Sequence, residues 1–342
     1  MLPITIFMKN RSTSAGAFLL VAIIALASCG SNRKLKIGYL IPNTQLERYK
    51  KEQAYFKEKI GSLGGEALTL SAEFDDKLQV KQADELLSQG VKVLVVNCVN
   101  QNTAAAIVRH AHDKNVQVVA YDRMISNCDL DYYLSFDNNE VGKQMAEYAV
   151  KLKPEGSYIL IGGDKADMNA VLVKNGQLAV LDPFIKSGKI KIVYNIFVED
   201  WSGENARHEI KKFLDLSGEI PDVILSSNDG MSTGIIELLK QYNLDGKVVI
   251  TGQDAELTAC RNIVQDKQSM SVYKPFRQLA FAAAELAMEL AKNEKITKAA
   301  TFAPNGLKNV YAILLSPVVV DKSNLKTTVI ADGLQKESDL NN

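Results

Sequence analysis

Short apolar runs alternate with amphipathic stretches along most of this chain, and no other feature of the sequence restricts the fold as strongly. Ten runs are rich in Val, Ile, Leu and Tyr without strict polar alternation, which is typical of strands buried in a parallel sheet. The runs span residues 35–41, 66–72, 91–97, 116–122, 132–136, 156–163, 190–198, 222–228, 247–254 and 269–274. Helical patterns lie between them over 46–62, 77–89, 101–114, 139–152, 203–216 and 230–242. The alternation predicts an α/β fold of βαβ units, and because so many strands exceed one comfortable sheet, we expect two similar halves.

Charge and composition argue against several classes of function. Lys plus Arg and Asp plus Glu number 40 each in 342 residues, so no charge excess points to nucleic acid as a partner. The 3 scattered His and the lack of a Cys/His zinc spacing argue against a metal site, and no motif calls for a cofactor. Cys98, Cys128 and Cys260 form an odd set after the N-terminal segment. The sequence leaves open whether Cys98 and Cys128 form a disulfide or remain buried thiols.

The N-terminal segment has the pattern of a targeting signal. Lys9 and Arg11 precede the apolar run AFLLVAIIALAS at residues 17–28, which is short for a transmembrane helix. The run ends in Leu-Ala-Ser before Cys29, as in a bacterial lipobox. We therefore expect residues 1–28 to be a lipoprotein signal peptide and Cys29 to be lipidated. The mature protein would then be extracytoplasmic or periplasmic and touch the membrane through its lipid; an ordinary signal peptide is the alternative.

Charged and polar side chains follow one predicted strand after another. The fourth strand ends in Asp122 and is followed at once by Arg123. Comparable positions after the other strands hold Arg48, Asp167, Asn169, Trp201, Asn228, Asp254 and Lys274. Ligands of open α/β sheets bind beyond the carboxyl ends of the strands, so we expect these side chains to surround one site.

The residue types in this set indicate the chemistry of a ligand. Taken singly, an Asp or Asn after a strand is more often a helix N-cap than a ligand contact. Arg48, Arg123, Trp201 and Lys274 are not cap residues, however. An Arg fork beside a carboxylate can hold adjacent hydroxyl groups, and an aromatic ring covers the apolar face of a pyranose. Together they predict a neutral polyhydroxyl ligand. Successive residues of a strand point to opposite faces, so Asp122 and Arg123 can both contact this ligand only if the backbone leaves the strand at Asp122.

Catalytic alternatives have little support. The chain lacks GxGxxG, GxxxxGK and HExxH motifs. A GxSxG spacing occurs as GMSTG at 230–234, inside the predicted helix 230–242. Asp122 and Asp254 could form a glycosidase pair, but the many Arg and Lys residues near the candidate acids would keep both ionised. We therefore expect no enzyme activity and no catalytic residue.

Several motifs resemble the periplasmic sugar-binding proteins of ABC importers, and within that family the members that bind D-xylose. The similar stretches are LERY at 46–49, AYDRMI at 120–125, YLSFDN at 133–138, SGKIKIV at 187–193, SSND at 226–229, GQDAEL at 252–257, VYKP at 272–275 and NGLK at 305–308. They occur in the family's order and cover nearly all of the chain after residue 35. The combination is specific, whereas any one motif alone would be weak.

The resemblance implies two Rossmann-like lobes joined by a hinge of three crossings, near Asp137, Pro275 and 305–308. The expected division is 1–28 signal peptide, 29–34 linker, 35–137 plus 276–305 first lobe, 138–275 plus 306–335 second lobe, and 336–342 tail. The family's sugar contacts fall on Arg48, Asp122, Arg123, Asp167, Asn169, Trp201, Asn228, Asp254 and Lys274, with Asp200 and Asp229 as caps or supporting residues. Tyr49 stands where the family usually has a stacking Trp, and Met168 where it usually has Asn, so D-xylose in particular is less firmly implied than an aldopentose.

The resulting hypothesis is a lipid-anchored, monomeric protein that binds D-xylose or a related aldopentose and delivers it to an ABC permease. The alternative is a pentose sensor that partners a membrane histidine kinase or chemoreceptor. DNA-binding repressors of the same fold would need an N-terminal helix-turn-helix, and residues 1–34 hold a signal sequence instead.

Overall fold

The computed structural model of the chain describes Pro3 and residues 34–45, 47–296 and 301–341. Residues Leu35–Asn342 form one compact unit. The predicted signal peptide and Cys29 lie outside the described residues. Within the described part, no helix combines the length and the apolar character needed to cross a membrane.

Two parallel sheets organise the compact unit. The larger sheet contains β1 (Lys36–Ile41), β2 (Glu66–Ser71), β3 (Val93–Val96), β4 (Gln117–Tyr121), β5 (Tyr132–Phe136), β11 (Thr301–Pro304) and β12 (Asn309–Leu315), in the order β11-β12-β5-β4-β3-β1-β2. The smaller sheet contains β6 (Gly156–Gly162), β7 (Ile190–Phe197), β8 (Val223–Ser226) and β9 (Val249–Ile250), in the order β7-β6-β8-β9. Every pairing in them is parallel except that of β11 with β12. The predicted α/β fold is confirmed.

Helices cover both faces of each sheet. They are α1 (Glu47–Ser62), α2 (Asp76–Ser88), α3 (Ala105–His112), α4 (Asn138–Leu152), α5 (Met168–Lys186), α6 (Gly203–Ser217), α7 (Asp229–Gln241), α8 (Leu257–Val264) and α9 (Phe276–Ala291). Successive residues of β1 show the two faces, because Tyr39 packs with Phe56 of α1 and Leu279 of α9, whereas Leu40 packs with Leu86 of α2. Strands buried on both faces have no polar side, which is why their sequences are continuously apolar. We call the larger sheet with its helices the first lobe and the smaller sheet with its helices the second lobe.

The expected assignment of residues 306–335 to the second lobe is wrong for much of that range. Strand β12 pairs with β5, from Tyr311 opposite Tyr132 to Leu315 opposite Phe136, and therefore belongs to the first lobe. Only after Pro317 does β13 (Val318–Val320) pair with β10 (Ser271–Tyr273), outside both sheets. The third crossing thus follows β12 instead of lying at 305–308. The other two expected boundaries, at residues 137 and 275, stay predictions.

The segment after β13 also departs from expectation. Leu325, Val329 and Leu334 are buried in the core that α1 and α9 share. The expected tail 336–342 contains a short 3₁₀ helix, Glu337–Asn341, with Leu340 buried. Arg261 on α8 donates from Nε to the Asp339 carbonyl oxygen at 2.7 Å. An apolar side chain every four to six residues is enough to hold this segment in place, which the charged tail sequence did not suggest.

The cysteines whose pairing the sequence leaves open are free thiols. Cys98, Cys128 and Cys260 are all buried and none is in a disulfide. Burial raises the pKa of the Cys128 thiol to about 11 and that of Cys98 to about 12, so both are protonated near neutral pH.

Candidate functional site

A cavity of about 570 Å³ lies where the strand ends of the two lobes meet. All ten side chains singled out from the sequence line it: Arg48, Tyr49, Asp122, Arg123, Asp167, Asn169, Trp201, Asn228, Asp254 and Lys274. The first lobe provides the residues up to Arg123 and the second lobe those from Asp167 to Asp254. The site therefore depends on both lobes.

Asp122 owes its position to a change of backbone direction at the end of β4. Its φ is +63°, a left-handed conformation that costs free energy for a residue with a Cβ. Three donors fix the Asp122 carbonyl oxygen: the Tyr133 hydroxyl at 3.1 Å, the Ser135 hydroxyl at 2.9 Å and Asn169 Nδ2 at 3.3 Å. Because the chain leaves the strand here, Asp122 and Arg123 both reach the cavity although they are neighbours in sequence.

Arg48, on the first turn of α1, joins the carboxylates on its side of the cavity. Its Nη2 donates to Asp122 Oδ2 at 2.8 Å, and its Nη1 lies 3.9 Å from Asp254 Oδ1. The guanidinium carbon lies 4.1 Å from the ring centroid of Phe276, a cation–π contact. Lys274, only 4% exposed, places Nζ 2.8 Å from Asp254 Oδ1. Two cations thus hold two carboxylates in a fixed network.

The electrostatics of Asp122 argue against a glycosidase pair. Burial alone would raise the pKa of Asp122, but Arg48, Lys274 and Arg123 outweigh it and hold that pKa below its usual value. A general acid needs a raised pKa, so Asp122 is unsuited to donate a proton. Within the described residues no group of His, Cys, Asp and Glu side chains could hold a metal ion.

The residues from the second lobe act both as helix caps and as cavity lining. Asp167 caps α5 by accepting from the Asn169 amide at 2.9 Å, and its other oxygen lies 3.3 Å from Arg123 Nε. Asn228 caps α7 by accepting from the Met231 amide at 2.9 Å. The cap and the binding-site interpretations of these side chains are therefore compatible.

Trp201 is aimed into the cavity by an irregular turn after β7. Asp200 and Trp201 have φ values of +55° and +54°, and Asp200 itself is exposed at the rim. The indole packs directly on the backbone of Gly163, where a Cβ would come within 2.2 Å of Trp201 Cδ2. Gly163 is therefore a condition for the position of the ring.

We expect Gly163→Ala to displace the Trp201 ring and to destabilise the protein by about 1–3 kcal/mol through overpacking. Trp201 is the single Trp of the chain, so intrinsic fluorescence reports on this ring alone. The emission maximum should move to longer wavelength as the indole becomes more solvated. Gly61→Ala is the matched control, since a Cβ at this helical position meets nothing within 4 Å. An unchanged emission spectrum for Gly163→Ala would contradict the packing argument.

Other side chains complete or support the site. Asp229 is fully buried and accepts from Gln268 Nε2 at 2.8 Å, the Ser271 hydroxyl at 2.8 Å and the Glu256 amide at 3.0 Å. It holds the turn that carries Asp254, as a supporting residue rather than part of the cavity lining. The sequence prediction missed Gln45, Phe74, Glu256 and Phe276, which also line the cavity. Two of these had a signal: Glu256 lies in the GQDAEL motif at 252–257, and Phe276 follows Lys274 and Pro275 as the first residue of a helix.

Comparison with known proteins agrees with this geometry. The family model of the periplasmic binding protein domain matches residues 37–295. The chain is 43% identical to the D-xylose-binding periplasmic protein of Haemophilus influenzae over 95% of this chain and 98% of that protein. It is 41% identical to the D-xylose-binding periplasmic protein of Escherichia coli K12 over 90% of this chain and 93% of that one. A solute-binding protein of an ABC transporter from Clostridium phytofermentans, solved with β-D-glucose, gives a TM-score of 0.81 at 27% identity over 89% of this chain and 99% of that chain.

Proposed function

The chain belongs to the periplasmic binding proteins, and from that membership we propose that it binds a monosaccharide, D-xylose or a related aldopentose, for delivery to an ABC importer. Its identity of more than 40% to two D-xylose-binding periplasmic proteins supports the ligand class. Binding is reversible and no covalent bond changes, so the site needs no catalytic residue and no cofactor.

The pairing of charged side chains in the cavity is the observation that carries this proposal. Arg48, Arg123 and Lys274 are paired with Asp122, Asp167 and Asp254, and the other charged residues of the lining are Lys51, Asp200 and Glu256. A charged ligand would compete with these pairs, whereas a neutral sugar adds hydroxyl groups that donate to the carboxylates and accept from the cations. Tyr49, Phe276 and Trp201 add aromatic surface for the C–H face of a sugar ring.

The distribution of the site over two lobes suggests how binding is coupled to transport. Contacts already join the lobes at the cavity, from Arg123 to Asp167 and from Asn169 to the Asp122 carbonyl oxygen. Gln101 Nε2 also donates to the Ala166 carbonyl oxygen at 2.6 Å. A ligand that contacts both lobes favours the closed arrangement by its differential affinity, and a permease can then recognise that arrangement.

The proposal extends to the cellular location. A lipid on Cys29 would keep the monomeric protein near its permease on the outer face of a membrane. The lipobox sequence before Cys29 supports this anchor. The sensor alternative has no comparable support.

Isothermal titration of the full-length chain with D-xylose, D-ribose, L-arabinose and D-glucose tests the proposal. We expect one-to-one binding of an aldopentose, weakened by Arg123→Ala by about 1.5–3 kcal/mol, because a charged hydrogen-bond donor is lost. Arg277→Ala is the matched control, since Arg277 lies outside the cavity and pairs with the exposed Glu58. A folded protein that binds none of the four sugars would overturn the ligand assignment.

A further inference from the structure

A buried carboxylate lies behind the cavity and does not line it. Glu52 follows Arg48 by one turn of α1 and is 0% exposed. Its Oε1 accepts from Arg48 Nε at 3.0 Å, whereas its Oε2 has no hydrogen-bond partner among the described residues. A fully buried carboxyl group is costly for a fold, so its presence behind a ligand-facing Arg calls for a physical explanation.

We infer that Glu52 is a positioning residue of the binding site, which fixes the guanidinium of Arg48 from behind so that its two Nη groups face Asp122 and Asp254. The inference rests on the proposed function. An Arg has five N–H donors in one plane, so a partner on Nε determines the direction of the other two nitrogens. Phe276 covers the face of the guanidinium but cannot set its rotation in that plane.

The surroundings of Glu52 make this support dependent on pH. Tyr39 on β1 and Tyr121 at the end of β4 are fully buried near it, with their ring centroids 5.5 Å apart and hydroxyl groups that have no hydrogen-bond partner among the described residues. The charged groups that act on Glu52 are Arg48, Asp122 and Lys274. Burial raises the pKa of Glu52 to about 7, with Asp122 adding to the rise while Arg48 and Lys274 oppose it.

The sign of the effect on binding follows from the charge of the hydrogen bond. Above the raised pKa of Glu52 the Arg48 Nε–Glu52 bond joins two opposite charges, whereas below it only the Arg48 partner is charged. Below that pKa the carboxyl group is neutral and holds Arg48 less firmly. Sugar affinity should therefore be full on the alkaline side and fall as the pH decreases through about 7.

The test compares sugar dissociation constants of three full-length variants with the wild type at about pH 6 and about pH 8. Glu52→Gln keeps an acceptor for Arg48 Nε without charge and so imitates the protonated state. Glu52→Leu removes the acceptor. Glu58→Gln is the matched control, because Glu58 lies on the same helix and is exposed, with its side chain 58% accessible. Thermal unfolding of each variant, measured in parallel, separates a loss of stability from a loss of affinity.

We expect wild-type affinity to fall up to about tenfold from the higher to the lower pH, because a single proton is linked to binding. Glu52→Gln should bind about as the wild type does at the lower pH and show a flatter profile. Glu52→Leu should bind on the order of tenfold to a hundredfold more weakly than the wild type at the higher pH. Glu256, a carboxyl group at the rim, is present in all of these proteins, so its titration cancels in the ratio of wild type to Glu52→Gln.

Two results would overturn the inference and leave the proposed function intact. One is a Glu52→Gln variant whose affinity depends on pH as steeply as that of the wild type. The other is a folded Glu52→Leu variant with wild-type affinity. If Glu52→Leu does not fold, the comparison of Glu52→Gln with the wild type still decides. A wild type that binds no sugar at either pH would instead overturn both the proposed function and the inference.

Discussion

Replacing Asp122 by Asn should weaken sugar binding by about 1.5–3 kcal/mol or more, which is roughly a tenfold to a hundredfold higher dissociation constant. The carboxylate is the acceptor for Arg48 Nη2 at 2.8 Å and lines the cavity, so the substitution removes a charged acceptor both from Arg48 and from the sugar. Asn tolerates a left-handed φ better than most residues, so the turn at +63° should survive. The loss should therefore appear in affinity and not in the fold.

Asp129→Asn is the matched control for this prediction. Asp129 lies in the same loop, pairs with Lys308 and has a side chain that is 71% accessible, so its replacement should change neither affinity nor stability appreciably. Titration calorimetry gives the affinities, and circular dichroism checks that the secondary structure is retained. Wild-type affinity in folded Asp122→Asn would remove this carboxylate from the proposed site and with it the sugar clamp.

The sequence predicted the sheets well because their strands are buried on both faces. A strand such as β3, Val93–Val96, has no solvent-facing side, so all of its residues are apolar. A continuous apolar run between two helical patterns therefore predicts such a strand. The site could be predicted for a related reason. A residue that directly follows such a strand, such as Asp122 after β4, must lie at the carboxyl edge of the sheet whatever the details of packing.

Residues outside that rule could not be found in the same way. Glu52 lies within a helix, where a Glu four residues after an Arg is an ordinary surface pair, and only tertiary packing shows that it is buried. Phe74 lines the cavity from a loop, and the sequence around it gives no periodicity. The position of the third crossing was predicted wrongly because strand pairing joins segments that are far apart in sequence. The sequence of β12 alone does not indicate that it pairs with β5.

Backbone strain is a further property that the sequence does not reveal. Asp122, Asp200, Trp201 and Asp254 all have positive φ, and all four line the cavity. Asp tolerates the left-handed region and so gives a weak hint, but Trp gives none. Such strain persists only where the surrounding contacts hold it, and at Asp122 three hydrogen bonds to one carbonyl oxygen supply them. The stability that the two lobes gain from their packed cores thus offsets the backbone strain of the residues that line the cavity.

The pair of Lys274 and Asp254 should show the strongest energetic coupling at the site. Lys274 is 4% exposed and its Nζ lies 2.8 Å from Asp254 Oδ1, so removing either partner leaves a charge with little water around it. We expect Lys274→Met and Asp254→Asn each to lower the free energy of unfolding by about 2–4 kcal/mol. This is less than the full cost of an isolated buried charge, because Arg48 lies 3.9 Å from Asp254 and the Asp122 carboxylate also attracts Lys274. Denaturant unfolding without sugar measures this effect.

The double variant distinguishes a coupled pair from two independent contacts. If each single variant loses stability because it leaves an unpaired charge, the double variant Lys274→Met/Asp254→Asn has no such charge. Its loss in free energy of unfolding should then be smaller than the sum of the two single losses by at least about 1 kcal/mol. Lys322→Met is the control, since Lys322 and Asp266 form a pair whose side chains are 55% and 74% accessible, and such pairs contribute little. If the two single losses simply add, Lys274 contributes to stability through the packing of its side chain, and Arg48 alone neutralises Asp254. Sugar binding in the double variant should remain weak in either case, because both residues line the cavity and we propose that they contact the ligand's hydroxyl groups.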